Sequence, residues 1–256
     1  QDDGIQAYTH ARLAGGEFSM DSGDDAVHSD GSASVAGGTY DITAVDDAFH
    51  AETTLEVIDG TARVVSCYEG LEAQCVYLRG GTVTVHVTAD DDAVNAASPS
   101  ADGLSSEAVA SSSDPVGEGS LSAADPSSAP AGEADVRGAT PESGMVEGGV
   151  GMGDSSCVIE ISGGYYVLTS GGDTLDSNGS IAIAGEQFWL GAHNTDDYVL
   201  DYDIEATIDG GTLIALGGRE MAQNLTSGSQ AFGMASVSDS AGKTVAIVDG
   251  EGSVLG

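Results

Sequence analysis

Basic residues are the scarcest chemical class in this chain. Its 256 residues include six lysines and arginines against 42 aspartates and glutamates, which gives a formal net charge of −36. Such a charge repels the phosphates of nucleic acids and the surface of anionic membranes, so it argues against both as partners. It favours cations, or acidic glycans that are reached through a cation. Adaptation to high salt also makes chains acidic, but it scatters the acidic residues over the surface.

Long apolar runs and helical periodicity are also missing. No segment stays apolar over the roughly 20 residues that a membrane-spanning helix needs, so no membrane insertion is expected. No window keeps apolar residues at the 3.6-residue spacing of an amphipathic helix, which points away from α-structure. Residue 1 falls inside a repeat, so we interpret the sequence as a fragment or a mature form, and the missing signal peptide carries no information about export.

Cysteine is rare, and the three cysteines do not determine the compartment. Cys75 and Cys157 occupy nearly equivalent places in successive repeats once the segment between them is removed. A disulfide between them is one interpretation. The other is that these two and Cys67 are buried or free thiols.

What the chain does contain is a short acidic phrase that returns about every 22 residues. A fixed period of this size predicts a stacked architecture in which each repeat contacts its neighbours. The phrases open with Asp2-Asp3-Gly4, Asp24-Asp25-Ala26, Asp46-Asp47-Ala48, Tyr68-Glu69-Gly70, Asp91-Asp92-Ala93 and Gly172-Asp173-Thr174.

A glycine-containing turn marks each repeat, and apolar residues alternate on both sides of it. Period-2 alternation is typical of half-buried strands, and glycine suits turns that need positive φ. The three inward columns begin with Leu13-Val35-Val57, Phe18-Tyr40-Ala62 and Met20-Ile42-Val64. With a fourth column after the acidic phrase, each repeat holds about three short strands. We therefore predict an all-β chain that folds as a right-handed parallel β-helix of about seven coils.

Composition divides the chain into four parts. Residues 98–155 break the period and are rich in Ser, Ala, Gly, Pro and acidic residues, so they cannot bury enough apolar surface to offset their ordering entropy. We predict a disordered loop there, inserted between coils in residues 1–97 and coils in residues 156–217. Residues 218–256 are predicted to form a C-terminal cap or extension.

The repeated acidic residues are the best candidate site. Carboxylates stacked about 4.8 Å apart repel one another, and two calcium–oxygen distances of about 2.3–2.6 Å span one such step. Oxygen ligands favour Ca²⁺ over softer metals. A solvated acidic edge with some protonated members is the alternative. The predicted calcium ligands are Asp24, Asp25, Asp46, Asp47, Glu69, Glu72, Asp91, Asp92, Asn95, Asp173 and Asp176.

Two histidines and one tryptophan are candidate ligand-binding residues. His28 and His50 stack one repeat apart, and with Glu72 they offer an alternative zinc site or a surface pair beside carboxylates. Trp189 is predicted to face outward, where an aromatic ring is a platform for a sugar. Coverage of this surface by another segment is the alternative.

The sequences of the repeats and their order along the chain resemble those of a family of secreted bacterial carbohydrate-binding β-solenoids. The resemblance covers most of residues 1–225, and a Gly/Ser-rich break after Asn95 is shared. Thr174 stands where the family has glycine. The phrases that carry it are Gly23-Asp24-Asp25-Ala26-Val27-His28-Ser29-Asp30-Gly31, Tyr68-Glu69-Gly70-Leu71-Glu72, Asp91-Asp92-Ala93-Val94-Asn95-Ala96, Gly172-Asp173-Thr174-Leu175-Asp176-Ser177-Asn178-Gly179, Leu200-Asp201-Tyr202-Asp203 and Met221-Ala222-Gln223.

This resemblance implies a pectate-lyase-like β-helix, outside the cell or at its surface, that binds calcium and plant cell-wall polysaccharides such as cellulose and polygalacturonate. We expect a monomer that binds polysaccharide without cleaving it. A polysaccharide lyase on the same fold needs a base, which is Lys or Arg in lyases of this fold, and the chain is nearly bare of both. A calcium-stapled surface scaffold or adhesin is the third possibility.

Overall fold

The computed structural model describes residues 3–87, 91–99, 153–185, 187–192, 198–218, 223–235 and 251. These residues form a parallel β-solenoid of about six turns without an α-helix, which confirms the predicted fold class. None of the described segments is a helix of the length and apolarity that crossing a membrane requires. The predicted insertion lies almost wholly outside the described residues, so its predicted disorder stays a prediction.

Seventeen strands build the solenoid in the described part of the chain. They are β1 (Ile5–Ala7), β2 (His10–Leu13), β3 (Glu17–Ser22), β4 (Val27–Ser29), β5 (Ser32–Ala44), β6 (Phe49–Ser66), β7 (Leu71–Leu78), β8 (Thr82–His86), β9 (Val94–Ala96), β10 (Val158–Ile161), β11 (Tyr165–Ser170), β12 (Leu175–Ser177), β13 (Ser180–Ile183), β14 (Gln187–Ala192), β15 (Leu200–Tyr202), β16 (Glu205–Ile208) and β17 (Thr212–Leu216).

The strands pair in three parallel stacks, one for each strand position of the repeat. The first stack runs through β1, β4, the start of β6, the start of β7, β9, β12 and β15. The second ends in β10, β13 and β16, and the third in β11, β14 and β17. The first stack has seven rungs, and therefore six steps from one coil to the next. The predicted seven coils correspond to the rungs, and the observed six turns correspond to the steps.

The predicted inward columns coincide with the strand register. Leu13 pairs with Val35, Val35 with Val57, and Leu78 with Ile161. All five side chains are buried in one core. The period-2 alternation thus places one face of every strand inside, because successive side chains of a strand point to opposite faces.

Glycine is required where the chain turns from the second stack to the third. Gly16, Gly38, Gly60, Gly81 and Gly164 have φ between 81° and 113°, a region that side chains with a Cβ rarely adopt. These are the second residues of the predicted turn marks.

The chain leaves and rejoins the solenoid at the corner between the first and the second stack. Ser98, which follows β9, hydrogen-bonds to Asp154, which precedes β10. The two ends of the predicted insertion therefore meet.

The second stack continues past β16. Ser227 forms a parallel bridge with Thr207, and Leu225 is buried in the core. These contacts lie within the predicted C-terminal extension. Residues 236–250 and 252–256 of the predicted extension lie outside the described residues.

Candidate functional site

One corner of the solenoid carries a continuous line of carboxylates just before the first stack. We call it the acidic ladder, and its members are Asp25, Asp47, Glu69, Asp92 and Asp173. The Asp25 Oδ1 atom accepts the backbone N–H of Asp47 at 3.0 Å, and the Asp47 Oδ1 atom accepts that of Glu69 at 3.2 Å. Asp92 Oδ1 accepts the N–H of Asp173 at 2.7 Å. In these three members, one carboxylate oxygen ties its coil to the next.

Small residues follow the ladder because the backbones of successive coils nearly touch there. The N–H of Ala26 donates to the carbonyl of Asp47 at 2.8 Å, and the N–H of Gly70 donates to that of Asp92 at 3.2 Å. A Cβ on Gly70 would lie 2.3 Å from the carbonyl oxygen of Ala93. Thr174 stands at the equivalent place of its coil. Its side chain is buried there, and its hydroxyl lies 3.0 Å from Ser170 Oγ.

A second polar column stands three residues after the ladder and is in register with it. His28 pairs with His50, His50 with Glu72, and Glu72 with Asn95. Asn95 pairs in turn with Asp176, and its Nδ2 donates to Glu69 Oε1 at 3.2 Å. The predicted side chains thus converge along one edge.

The histidine cluster occupies the N-terminal half of this edge and comprises Asp25, His28, Asp47, His50 and Glu72. The His28 Nδ1 atom lies 2.7 Å from Asp25 Oδ2. The His50 Nδ1 atom lies 3.0 Å from Asp47 Oδ2 and 2.8 Å from Glu72 Oε2. The centres of the two imidazole rings lie 4.9 Å apart, and the ring planes are tilted by 31°. Two nitrogens and three carboxylates therefore lie together at this place.

Three further groups offer oxygen only, and in each the possible ligand atoms lie within 4.8 Å of one another. Such oxygen clusters match the ligand preference of Ca²⁺. The groups are Asp24-Asp25-Asp46, Glu69-Asp91-Asp92 and Asp173-Asp176-Asp201. With the histidine cluster they contain every predicted calcium ligand except Asn95, which contacts Glu69.

Three members of the ladder have raised pKa values. Burial and neighbouring carboxylates raise the pKa of Glu69 to about 9 and that of Asp92 to about 8. Burial raises the pKa of Asp47 to about 7. Burial also opposes the charge of His50, but its hydrogen bonds to Asp47 and Glu72 raise its pKa to about 11. Buried carboxylates that are held this close retain protons unless a cation replaces them.

Tyr68 was not predicted as a site residue. It stands on the corner where Asp24, Asp46 and Asp91 stand in other coils, and 47% of it is exposed. Its interaction with the nearby Asp91 carboxylate raises the pKa of its hydroxyl to about 12. The signal that could have found it is an aromatic residue at an otherwise acidic position of the repeat.

The structure describes only the backbone of Trp189, the predicted aromatic platform. Trp189 pairs with Val167 and Ile214 in the third stack, but its side chain lies outside the described part of the structure, so its predicted outward orientation stays a prediction. Tyr165, on a neighbouring rung of the third stack, is 40% exposed. The ring of Tyr77 has the Arg79 guanidinium over its face, 4.8 Å from its centre.

The cysteines are free. Cys75 pairs with Val158, so Cys157 lies one residue away from the equivalent position that the repeat comparison indicated. Burial raises the pKa of Cys67 to about 12. This thiol is therefore protonated at neutral pH.

The described arginines stand away from the acidic ladder. Arg63, in the third stack, forms an ion pair with Asp41 at 2.8 Å. Arg79, at the end of the second stack, bridges Glu56 and Glu160. Arg12 is an exposed residue of β2.

The comparisons with known proteins give a family for the chain. Neither the curated proteins nor the solved structures contain a match to the chain. A family model described as carbohydrate-binding domain-containing protein matches residues 33–197, which is more than half of the sequence. The chain therefore belongs to this carbohydrate-binding domain family.

Proposed function

We propose that the solenoid binds an acidic plant cell-wall polysaccharide of the polygalacturonate class, without cleaving it, through Ca²⁺ held at the acidic edge. The observation that carries the proposal is the set of three oxygen-only clusters on one edge of a carbohydrate-binding domain. A chain with a net charge of −36 repels a polyuronate unless cations lie between them.

Calcium fits the donors that this edge presents. Asp24, Asp25 and Asp46 supply oxygen at one level, and Glu69, Asp91 and Asp92 supply it further along. Ca²⁺ accepts six to eight oxygen ligands in flexible geometry, so three protein carboxylates leave coordination positions for a ligand. A glycan carboxylate is an oxygen donor of the same type. The bound ion would supply positive charge for that carboxylate, and the protein side chains would hold the ion and orient it.

A binding role is favoured over a lyase role by the placement of the basic residues. Eliminative cleavage of a uronate needs a base close to the neutralised carboxylate. Among the described residues, Arg63 and Arg79 are engaged by acidic partners in the other two stacks. The lyase alternative therefore has no arginine beside the ladder in this part of the chain.

Binding of polygalacturonate with and without EDTA tests the proposal. We expect binding in Ca²⁺, loss of binding in EDTA, recovery on adding Ca²⁺, and no unsaturated product by ultraviolet absorbance. Asp92→Asn should weaken binding at least about tenfold, since it removes a charged ligand, whereas Asp41→Asn in the third stack should not. Binding that persists in EDTA would contradict the proposal, and so would an ultraviolet signal.

A neutral glucan is the second ligand to compare. Such a chain has no carboxylate to reach calcium and needs aromatic stacking instead. If cellulose is the ligand, Trp189→Ala weakens binding and Asp47→Ala does not. If neither variant alters binding to any wall glycan, the scaffold interpretation replaces the binding one.

A further inference from the structure

We propose that the histidine cluster is a site for a transition-metal ion of the zinc class, distinct from the calcium-type clusters Glu69-Asp91-Asp92 and Asp173-Asp176-Asp201 on the same edge. The proposal rests on the donors that the structure brings together there and does not depend on the calcium proposal. Ligand type separates the two: imidazole nitrogen suits zinc and its neighbours, whereas calcium takes oxygen.

The donors are close enough to share one small ion. His50 Nδ1 lies 2.8 Å from Glu72 Oε2 and 3.0 Å from Asp47 Oδ2. Zinc–ligand bonds of about 2.0–2.2 Å set neighbouring ligands of a tetrahedral ion roughly 3.3–3.5 Å apart. The side chains would need to separate by only about half an ångström, which small side-chain rotations supply.

A second triad shares the same histidine. Asp25, His28 and His50 also present atoms that lie within 4.8 Å of one another. His28 Nδ1 is 2.7 Å from Asp25 Oδ2, while His50 Nδ1 is 4.0 Å from it. The cluster therefore has two nitrogens and three carboxylates from which one ion takes its ligands.

The carboxylates are oriented by the backbone of the solenoid. One oxygen each of Asp25 and Asp47 accepts the N–H of the next coil, and the other oxygen points at an imidazole. Hydrogen bonds of this type fix metal-ligating groups and increase their affinity. The side chains of His28 and His50 are 20% and 22% exposed, so an ion can enter from solvent. A polar partner from solution could complete its coordination.

The competing explanation is that the histidines are protonated partners of the carboxylates and bind no metal. Both explanations use the same contacts, so direct metal binding must separate them. The calcium-type clusters at Glu69-Asp91-Asp92 and Asp173-Asp176-Asp201 share no donor with the histidine cluster, whereas the Asp24-Asp25-Asp46 cluster shares Asp25 with it, so the calcium controls use the first two clusters. Variants in each can therefore be read independently.

The experiment is zinc binding by the full chain after metal removal with EDTA and exchange into metal-free buffer. Competition with a chromophoric chelator gives affinity, and elemental analysis after desalting gives stoichiometry. We expect one Zn²⁺ to remain bound in a large excess of Ca²⁺. His50→Ala and His28→Ala should each lower the zinc affinity at least about tenfold, as removal of metal-site groups does.

Two controls keep the result interpretable. His10→Ala should leave zinc binding unchanged, because the hydrogen-bond partners of His10 in the described part of the chain are Ser32 and Ser34. Asp92→Asn should weaken Tb³⁺ binding, measured by luminescence as a probe for calcium, and leave zinc binding intact. Should His50→Ala fail to fold, X-ray absorption at the zinc edge of the unchanged protein still reports imidazole scattering.

Three results overturn the proposal: displacement of zinc by calcium, zinc affinity in His28→Ala equal to that of the unchanged protein, or an X-ray absorption spectrum without imidazole scattering. A protein that binds no zinc but shows normal calcium-dependent glycan binding would refute the zinc proposal and leave the proposed function standing. Normal zinc binding without any glycan binding would remove the proposed function alone.

Discussion

At the residue scale, two kinds of position decide what the acidic edge does. Asp47 stabilises the stacking through one carboxylate oxygen and presents the other to His50, so stacking and the proposed metal binding use the same side chain. Residues at the corner contribute exposed surface beside these carboxylates. Tyr68 is such a position, because its ring is about half exposed beside Glu69 and Asp91.

Tyr68→Ala should weaken polygalacturonate binding by about two- to tenfold, because aromatic stacking contributes roughly 0.5–1.5 kcal/mol beyond area burial. Titration calorimetry in Ca²⁺ measures the effect. Tyr8→Ala is the matched control, since Tyr8 is 82% exposed and lies after β1, outside the corner. If the two variants bind polygalacturonate with equal affinity, Tyr68 does not contact the ligand.

Gly70→Ala should destabilise the solenoid by about 1–3 kcal/mol, as overpacking of a close contact does. The added Cβ would lie 2.3 Å from the Ala93 carbonyl oxygen and 2.6 Å from Val85 Cγ1. Chemical denaturation measures the change. Gly233→Ala, where a Cβ would meet no atom within 4 Å, should be nearly neutral. A stable Gly70→Ala protein would show that adjacent coils can separate at this corner.

At the element scale, the sequence predicts the stacking register well because two periods reinforce each other. The 22-residue repeat sets which residues pair, and the alternation within strands sets which of them are buried, as for Leu13 and Val35. Contacts that depend on side-chain torsions carry no such period. The double contact of His50 with Asp47 and Glu72 and the exposure of Tyr68 therefore could not be read from spacing. The predicted insertion interrupts the period, so the spacing does not give the register across it to the residue. Cys75 pairs with Val158, one position from Cys157.

Replacement of residues 100–152 by a short Gly/Ser linker should change the melting temperature by little. The structural reason is that Ser98 and Asp154 hydrogen-bond to each other, so the linker spans a short distance. The compositional reason is that the segment lacks the apolar residues to build a core. Thermal unfolding followed by circular dichroism measures the change. A variant that fails to fold would show that the segment supports the coils.

At the scale of the whole molecule, part of the negative charge lies where the coils must also pack. Several buried carboxylates of the acidic edge have pKa values raised to between about 7 and about 9. The folded chain therefore binds more protons than the unfolded chain from about pH 4 up to those values. By linkage, the stability of the metal-free protein falls as the pH rises through this range.

In EDTA, the melting temperature should therefore be several degrees lower at pH 8.5 than at pH 5.5, at roughly 2–4 °C for each kcal/mol in a chain of this size. His50 acts in the same direction, since its raised pKa adds stability that is lost as the pH rises. Calcium should reduce the difference, because it needs the ionised carboxylates. Calorimetry at the two pH values checks this, and a melting temperature in EDTA that rises with pH would contradict it.

The junction between β7 and β10 has a consequence for how such a chain can change over evolutionary time. Leu78 pairs directly with Ile161, and Arg79 forms an ion pair with Glu160, although about 80 positions separate them in the sequence. The stacking of two coils is therefore stabilised by residues that are neighbours in space. A longer segment between two rungs destabilises the fold only through its loop-closure entropy, which grows slowly with length. New sequence can be acquired or exchanged at this corner while the acidic edge is inherited intact.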